Sequence, residues 1–338
     1  TLGHAAGDRV LAGAAQRLET CMRPGDTLAR LGGDEFLLVA SGLAGARAAE
    51  AVAQAVLEVM TRPFFAAGQE LYVAISIGIA LASNGDERSE ELLRQADSAM
   101  YRAKKAGRHG FRFFTPEMDV ESLDRMALER DMRAALHRGE LRVAYQPIVD
   151  LEDARVVGVE ALLRWESPSL GPVAPDRFVR VAEDNGLIVP IGAWVLAESC
   201  AQARRWFDAT GTWLRMSVNA SPRQLVDRGF LGHVRRALAD SGIPSRLLQI
   251  EITEGVFIER HEEVAPVLEA LRGLGVRLAL DDFGTGYASL SYLQRYRFDA
   301  LKIDKAFLDD VTGDDGDAPL VRATLTLARG LGLDVIAE

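Results

Sequence analysis

The chain has 338 residues and a formal net charge of −10, with 48% hydrophobic and 26% charged residues. This balance is typical of a folded globular protein of about two domains, and the acidic charge argues against binding to a nucleic-acid polymer, which needs a basic surface. Cys21 and Cys200 lie far apart without metal-ligand spacing, so we expect reduced thiols in a cytoplasmic setting.

The first 115 residues alternate helical and strand-like patterns. Amphipathic patterning predicts helices over 7–22, 45–61 and 89–106. Two apolar runs within 26–40 flank Gly32 and Gly33, and a Gly-Gly pair between strands indicates a hairpin because glycine tolerates the positive φ of a tight turn. A further strand is predicted over 71–82. We therefore predict an α/β sheet domain over residues 1–115.

A linker is expected after this domain. Residues 116–122 begin with a proline and are mostly polar, which suits a linker or connecting turn. A helix is predicted to follow over 123–137 and to end before Gly139.

The second domain, over 123–338, repeats strand and helix patterns. Apolar runs occur near 142–149, 156–163, 214–218, 247–252, 276–280, 299–303 and 333–337. Helical patterns occur near 188–208, 223–241, 261–274 and 317–331. Such units predict a parallel sheet, most simply a (β/α)8-type barrel. Only residues 150–155 join the first two runs, which is too short for a crossover helix, so the first strand should be antiparallel.

Seven strands are predicted here, whereas a closed barrel needs about eight. The chain also starts at Thr1 rather than Met and stops inside an apolar run at Glu338. We therefore expect a piece of a longer protein, with the last barrel strand beyond residue 338. An N-terminal segment of that protein could hold a sensor or a membrane anchor.

Polar side chains follow the strands of the second domain, and barrel active sites gather at the C-terminal strand ends. A single such residue is more often a helix cap or a surface salt bridge, but six strand ends carry one. The residues are Glu160, Asn219, Glu251, Asp281 with Asp282, Lys302 and Glu338. Their oxygen ligands suit Mg²⁺ or Mn²⁺. Asp281 and Asp282 could hold two ions for a phosphoryl displacement, and Lys302 could orient water or stabilise phosphate charge.

The strand-end residues stand in motifs that resemble the EAL family. These motifs are Tyr145–Ile148, Glu160–Leu162 within EALLRW, Ser217–Asn219, Glu251–Glu254, Asp281–Gly286 and Lys302–Asp304. The resemblance covers about residues 123–338 and implies metal-dependent hydrolysis of cyclic di-GMP to linear pGpG.

The EAL resemblance also implies individual roles. The implied metal ligands are Glu160, Asn219, Glu251 and Asp281, with Asp282 for the second ion or the attacking water. The implied substrate contacts are Gln146, Leu162 and Arg164. Lys302 would orient the water, Glu254 would steady the loop 281–286, and Glu338 would lie near the metals. Because that loop can couple dimerisation to metal binding in the family, a homodimer is expected.

The hairpin of the first domain, Arg30–Phe36, reads RLGGDEF and resembles the GGDEF family, which makes cyclic di-GMP from two GTP. Gly-Gly-Asp-Glu alone could be only a polar turn, but the flanking segments match the family as well. The implied GTP contacts are Asp8, Gly32, Gly33, Lys104 and Arg108, with Asp34 and Glu35 as Mg²⁺ ligands. Arg23 and Asp26 match an inhibitory site that binds cyclic di-GMP. The implied fold is that of the nucleotidyl cyclases.

Three functions remain open from the sequence: a metal-dependent phosphodiesterase with a GTP-binding regulatory domain, a diguanylate cyclase, and a receptor without catalysis. The complete strand-end set favours the hydrolase. Zinc chemistry is disfavoured because the five histidines show no ligand spacing. The sequence contains neither a Gly-x-Ser-x-Gly nucleophile elbow nor a Walker P-loop.

Overall fold

The computed structural model describes residues 4–66, 68–82, 88–107, 109–284, 293, 295–307 and 318–337. Two residues of the expected sites, Arg108 and Glu338, lie outside the described residues. The chain divides into two compact units, Thr1–Met126 and Ala127–Glu338.

The first unit is an α/β domain, as predicted. Its helices are α1 (His4–Glu19), α2 (Ala46–Met60) and α3 (Ser89–Lys105). Its strands are β1 (Thr27–Gly32), β2 (Glu35–Val39), β3 (Phe64–Ala66), β4 (Gln69–Leu71), β5 (Ser76–Ile79) and β6 (Gly110–Phe113). The predicted hairpin is the antiparallel pair β1–β2, and β5 pairs with β6 in parallel.

The single strand expected over 71–82 is wrong in extent. The described part of this segment contains only the end of β4 and the strand β5, and residues 72–75 are not in a strand. Alternating apolar residues favour a strand, but a strand forms only where a neighbouring strand completes its hydrogen-bond ladder. The alternation alone does not show whether residues 72–75 have such a neighbour.

Residues 116–122 are not an irregular turn, because they form the start of a continuous helix, α4 (Pro116–Arg138); their role as a linker between domains stays a prediction. Proline suits the first position of a helix, where its missing N–H would have no helical partner and its φ already fits. The helix predicted over 123–137 is the later part of α4.

The second unit contains one curled sheet, of eight strands among the described residues. The strands are β7 (Leu141–Val149), β8 (Val156–Ser167), β9 (Gly171–Val173), β10 (Arg215–Asn219), β11 (Leu248–Thr253), β12 (Arg277–Phe283), β13 (Ala300–Ile303) and β14 (Asp334–Ala337). The spatial order is β14-β13-β12-β11-β10-β8-β7, and β9 pairs with β8. The pair β7–β8 is antiparallel and the pairs from β8 through β14 are parallel. The predicted barrel-type sheet with an antiparallel start is confirmed.

Helices cover the outer face of this sheet. They are α5 (Pro175–Asn185), α6 (Ile188–Thr210), α7 (Pro222–Leu225), α8 (Phe230–Ser241), α9 (Gly255–Gly273) and α10 (Ala318–Leu331). The helix predicted over 223–241 is therefore two helices, and α5 and β9 were not predicted. Among the described residues, no helix is both long and apolar enough to cross a bilayer.

The core of the second unit fixes which strand residues face inward. Met216, Ile250 and Leu278 are buried in the core cluster, and strand side chains alternate between the two faces. These core side chains lie on the outer face of the sheet, which the helices cover. The residues that alternate with them, including the predicted site residues, must therefore point to the inner face. This alternation positions the strand-end side chains at one rim of the sheet.

Candidate active site at the ends of the parallel strands

The strand-end side chains do converge. Glu160 lies in β8, Asn219 ends β10, Glu251 lies in β11, Asp281 in β12 and Lys302 in β13. Adjacent strands align them, since Ser217 pairs with Glu160 and Asn219 pairs with Glu251. We call the five residues Glu160, Asn219, Glu251, Asp281 and Lys302 the strand-end cluster.

Lys302 lies at the centre of the strand-end cluster and only 1% of its surface is exposed. Its Nζ donates to Glu251 Oε2 at 2.8 Å, to Glu160 Oε2 at 3.0 Å and to Asp281 Oδ2 at 3.2 Å. An ammonium group has three donors and no acceptor, so three carboxylates satisfy it completely. The lysine therefore holds three strands in a fixed relation at this rim.

The second oxygen of each carboxylate has its own donor. Asn219 Nδ2 donates to Glu160 Oε1 at 2.7 Å, and Gln249 Nε2 lies 3.3 Å from Glu251 Oε1. The backbone N–H of Asp282 donates to Asp281 Oδ1 at 3.0 Å. Each carboxylate is thus held at both oxygens, which restricts its orientation before any ligand binds.

Burial and charge act in opposite directions on the two central groups. Burial alone would lower the pKa of Lys302, but the carboxylates of Glu251, Asp281 and Glu160 outweigh it and raise that pKa. Burial raises the pKa of Glu251 to about 7, although Lys302 acts against this shift, and the charges of Glu160 and Asp281 add to it. The cluster therefore contains more negative charge than its single ammonium neutralises.

The donor set of the cluster fits divalent cations. Among the described residues, no three carboxylate, imidazole or thiol groups already stand at ligand spacing around one point. The three carboxylates of the cluster accept instead from Lys302 Nζ. Their oxygens and the amide oxygen of Asn219 are hard ligands of the kind that Mg²⁺ and Mn²⁺ prefer. The excess buried negative charge is what a divalent cation would offset.

A bulge explains how the adjacent Asp281 and Asp282 can both serve this rim. The register of β12 against β13 shifts after Leu280, so Asp281 and Asp282 together lie opposite Lys302. Asp282 has a φ of 55°, a left-handed conformation that is uncommon for residues other than glycine. Bulges re-aim side chains next to active sites, and backbone strain of this kind gathers at such sites.

Glu254 contacts the start of the loop that it was expected to steady. Glu254 is 3% exposed, and its Oε2 accepts from the backbone N–H of Gly284 at 3.3 Å. Its Oε1 is buried and has no hydrogen-bond partner in the described part of the chain. Residues 285 and 286 of the expected loop lie outside the described residues.

The expected substrate contacts share one face of the antiparallel pair. Gln146 pairs directly with Glu160 across β7 and β8, and Leu162 and Arg164 follow Glu160 at the period of two that keeps them on its side. These side chains are partly or fully accessible, whereas Ala161 and Trp165 on the other face are buried. The accessible face of β7–β8 therefore continues the strand-end cluster.

The expected site of the first unit is built differently. Gly32, Gly33, Asp34 and Glu35 form the tip of the β1–β2 hairpin, and all four are exposed. Gly33 has a φ of 52°, and the guanidinium of Arg30 donates to its carbonyl at 2.6 and 3.1 Å. We call these four residues the hairpin tip. Asp8 on α1 and Lys104 on α3 are exposed as well.

Arg23 and Asp26 form an ion pair with each other, with 3.5 Å between Arg23 Nε and Asp26 Oδ2. Asp26 also accepts from the backbone N–H groups of Arg23 at 2.9 Å and Ser41 at 3.0 Å. The N–H of Arg23 is the main cause that lowers the pKa of Asp26. The Asp26 carboxylate therefore ties the turn before β1 to the segment that follows β2.

One residue of the site was missed by the sequence analysis. Gln249 is fully buried on the inner face, two residues before Glu251, and contacts its carboxylate. The signal was available, because a glutamine inside an otherwise apolar strand has to find hydrogen-bond partners.

Comparison with protein families is consistent with this architecture. Residues 129–338 match the family model described as "EAL domain", and residues 1–110 match the model described as "Diguanylate cyclase, GGDEF domain". The chain belongs to the EAL domain family. A GGDEF domain precedes the EAL domain, and the EAL family is metal-dependent.

Relatives with both domains include a bifunctional diguanylate cyclase/cyclic di-GMP phosphodiesterase, MucR of Pseudomonas aeruginosa, which is 40% identical over 99% of this chain and 49% of its own length. The cyclic di-GMP phosphodiesterase PdeR of Escherichia coli is 39% identical over 99% of this chain and 50% of its own length. The EAL protein thus spans about half the length of these curated relatives.

A solved structure of the MucR phosphodiesterase in complex with c-di-GMP resembles the chain with a TM-score of 0.59 at 41% identity. The match covers 62% of this chain and 85% of that one. The EAL domain here therefore has the fold of a domain that has been seen with c-di-GMP bound.

Proposed function

We propose that the EAL domain hydrolyses cyclic di-GMP to linear pGpG with bound divalent cations, and that the GGDEF domain is a GTP-binding regulator or a second activity. The observation that carries this proposal is the strand-end cluster, in which Lys302 Nζ lies within 3.2 Å of three carboxylates. The names of MucR and PdeR and the bound ligand of the MucR structure support the choice of substrate.

In this proposal Glu160, Asn219, Glu251 and Asp281 hold the cations, and Asp282 completes a site for a second one. Two ions of Mg²⁺ or Mn²⁺, when bound, would activate water and neutralise charge on the scissile phosphate. Lys302 keeps the carboxylates in place and presents its positive charge to the water or the phosphate. Glu251, Asp281 and Lys302 are buried, which keeps bulk water away from them and strengthens their electrostatic contacts.

The accessible face of β7–β8 binds the substrate beside Glu160. Gln146 and Leu162 contact the nucleotide, and Arg164 contacts a phosphate. Arg164 already uses one nitrogen on the backbone carbonyl of Leu163 at 2.9 Å, which fixes its position, and its other donors can bind a phosphate. The loop that begins at Gly284 is proposed to join two copies of the protein, so that the active form is a homodimer.

A second candidate function is GTP binding at the hairpin tip, with or without diguanylate cyclase activity. The tip presents bare backbone at Gly32 and Gly33 beside the exposed carboxylates of Asp34 and Glu35. A nucleotide can approach such backbone closely, and the two carboxylates can hold a Mg²⁺ ion. Lys104 and Arg108 would bind the triphosphate.

The test is to incubate the protein with Mg²⁺ and cyclic di-GMP, and separately with GTP, and to resolve the products by chromatography. We expect pGpG from the first incubation. Glu160→Gln should lower its rate by about 100-fold or more, since even outer partners of metal ligands matter by about 10–100-fold. The matched control is Glu152→Gln, an exposed glutamate in the turn between β7 and β8, which should leave the rate unchanged. Conversion of GTP alone would favour the cyclase, and binding without turnover would favour the receptor.

A further inference from the structure

The inner face of the second unit contains a buried polar layer beneath the strand-end cluster. Ser217 and Gln249 are both fully buried and pair directly across β10 and β11. Barrel interiors are normally filled by branched apolar side chains. An apolar residue of similar volume could fill the space of Gln249 without needing partners, so the amide calls for a specific explanation.

Gln249 is held by three different strands. Its Nε2 donates to Ser217 Oγ at 3.0 Å and lies 3.3 Å from Glu251 Oε1. Its Oε1 accepts from Arg277 Nε at 3.4 Å. The side chain therefore bridges β10, β11 and β12 directly below the carboxylate of Glu251.

The chemistry of these neighbours permits only one orientation of the amide. A carboxylate can only accept and a guanidinium can only donate. If the amide were flipped, its carbonyl would face the Glu251 carboxylate and its NH₂ group would face Arg277, and both contacts would be repulsive. The NH₂ group of Gln249 must therefore point at Glu251.

Arg277 is itself fixed at the far side of this layer. Its Nη2 donates to Asp334 Oδ2 at 2.7 Å, and Arg215 Nη1 donates to the same oxygen at 3.4 Å. These residues lie at the starts of β12, β14 and β10, at the end of the sheet opposite the strand-end cluster. A chain of contacts thus runs from Asp334 through Arg277 and Gln249 to Glu251.

We infer that Gln249 is a positioning residue for the cation site, and that it acts by holding the Glu251 carboxylate in the orientation in which it accepts a divalent cation. Lys302 holds Glu251 Oε2, and Gln249 contacts Oε1, so the two together fix both oxygens. This inference rests on the proposed role of Glu251 in the phosphodiesterase.

The test measures Mn²⁺ binding to metal-free protein, with free Mn²⁺ detected by electron paramagnetic resonance. Gln249→Met keeps the length and removes the amide, and should weaken Mn²⁺ binding by about 10–100-fold, as is typical for outer partners of metal ligands. Gln249→Asn keeps a buried amide but is one methylene too short to reach from Arg277 to Glu251, and should weaken binding as well. If the methionine variant does not fold, the Mn²⁺ affinity of Gln249→Asn tests the inference instead.

The control is Ser241→Ala, which removes a buried hydroxyl that donates to the carbonyl of Ala237 in α8, remote from the sheet rim. It should lower the melting temperature but leave the Mn²⁺ affinity within about 2-fold, since distant sites act independently. In the hydrolysis assay, the Gln249 variants should need more Mn²⁺ for half-maximal rate while the KM for cyclic di-GMP at saturating Mn²⁺ stays unchanged.

The outcomes separate this inference from the proposed function. Folded Gln249 variants that bind Mn²⁺ as tightly as the unchanged protein would overturn the inference, whether or not pGpG is formed. Weakened Mn²⁺ binding in a protein that never forms pGpG would support the positioning role and overturn the proposed reaction. If the unchanged protein itself binds no Mn²⁺, both are overturned.

Discussion

The two candidate sites of this chain differ in how much of their geometry is built before a ligand arrives. In the strand-end cluster, Lys302 and Glu251 are at most 1% exposed and each carboxylate has donors at both oxygens. The hairpin tip is exposed at all four residues. The first site is positioned by long-range strand pairing, and the second by the local backbone of a turn.

The difference has an energetic consequence. A buried charge without a partner lowers the free energy of unfolding, so removing one partner from the strand-end cluster should destabilise the fold strongly. Exposed charges at the hairpin tip are hydrated and screened, so removing one of them costs little. Substitutions at the cluster should therefore change stability and function together, whereas substitutions of the tip carboxylates Asp34 and Glu35 should change function mainly.

The largest expected effect is that of Lys302→Met. It leaves three carboxylates around a site without an ammonium, and breaking such a buried arrangement costs about 3–5 kcal/mol. Urea denaturation in the presence of a chelator, followed by tryptophan fluorescence, measures the loss. All four tryptophans lie between residues 165 and 213, so this signal reports the second unit alone.

The matched control for that prediction is Lys305→Met, the same substitution at an exposed lysine three residues away, which should change the free energy of unfolding by less than about 0.5 kcal/mol. Adding Mg²⁺ should restore more stability to Lys302→Met than to the unchanged protein, because the cation offsets the same carboxylates. Equal stability of the two lysine variants would contradict the view that the ammonium holds the cluster together.

A smaller effect on the free energy of unfolding is expected where the backbone is left-handed, a feature found in both regions. Gly33 and Asp282 both have left-handed backbone, with φ values of 52° and 55°. Asparagine tolerates this conformation and a β-branched residue does not. We therefore expect Asp282→Val to be less stable than Asp282→Asn by about 1–2 kcal/mol, with the charge removed in both.

The same pair of substitutions at Gly33 tests whether the hairpin tip is equally well defined. No heavy atom lies within 4 Å of a Cβ placed at Gly33, so only backbone strain can separate Gly33→Val from Gly33→Asn. A difference of about 1–2 kcal/mol, measured by hydrogen exchange in the first unit, would show that the tip keeps its turn in solution. A difference near zero would mean that the backbone of the tip rearranges to relieve the strain. We do not expect such a rearrangement at Asp282, because the bulge there lies between paired strands.

The sequence predicted those parts of the molecule that depend on local pattern. The antiparallel start followed from the few residues between β7 and β8, and the rim of polar residues followed from apolar runs that end in a carboxylate or an amide. Both depend only on neighbouring positions. The roles of the individual site residues stay predictions until they are measured.

What the sequence did not predict depends on partners that are distant along the chain. The bulge at Asp282 exists because β12 shifts its register against β13, and no residue of β12 alone indicates that shift. The contacts of Gln249 come from Ser217 and Arg277 on other strands. The helical start at 116–122 was missed for another reason, since polar composition and a proline fit the first turns of a helix as well as a loop.

The last prediction involves no change in stability. It compares the alkylation rate of one cysteine in each unit. Cys200 in α6 is fully buried, and burial raises its pKa to about 12, while Cys21 is partly exposed. The thiolate is the reactive form, so iodoacetamide at pH 8 should modify Cys21 at least about 100-fold faster than Cys200, as followed by mass spectrometry. In denaturing urea the two rates should become equal. Similar rates in the folded protein would mean that α6 opens readily, and the rigid scaffold inferred for the strand-end cluster would then be wrong.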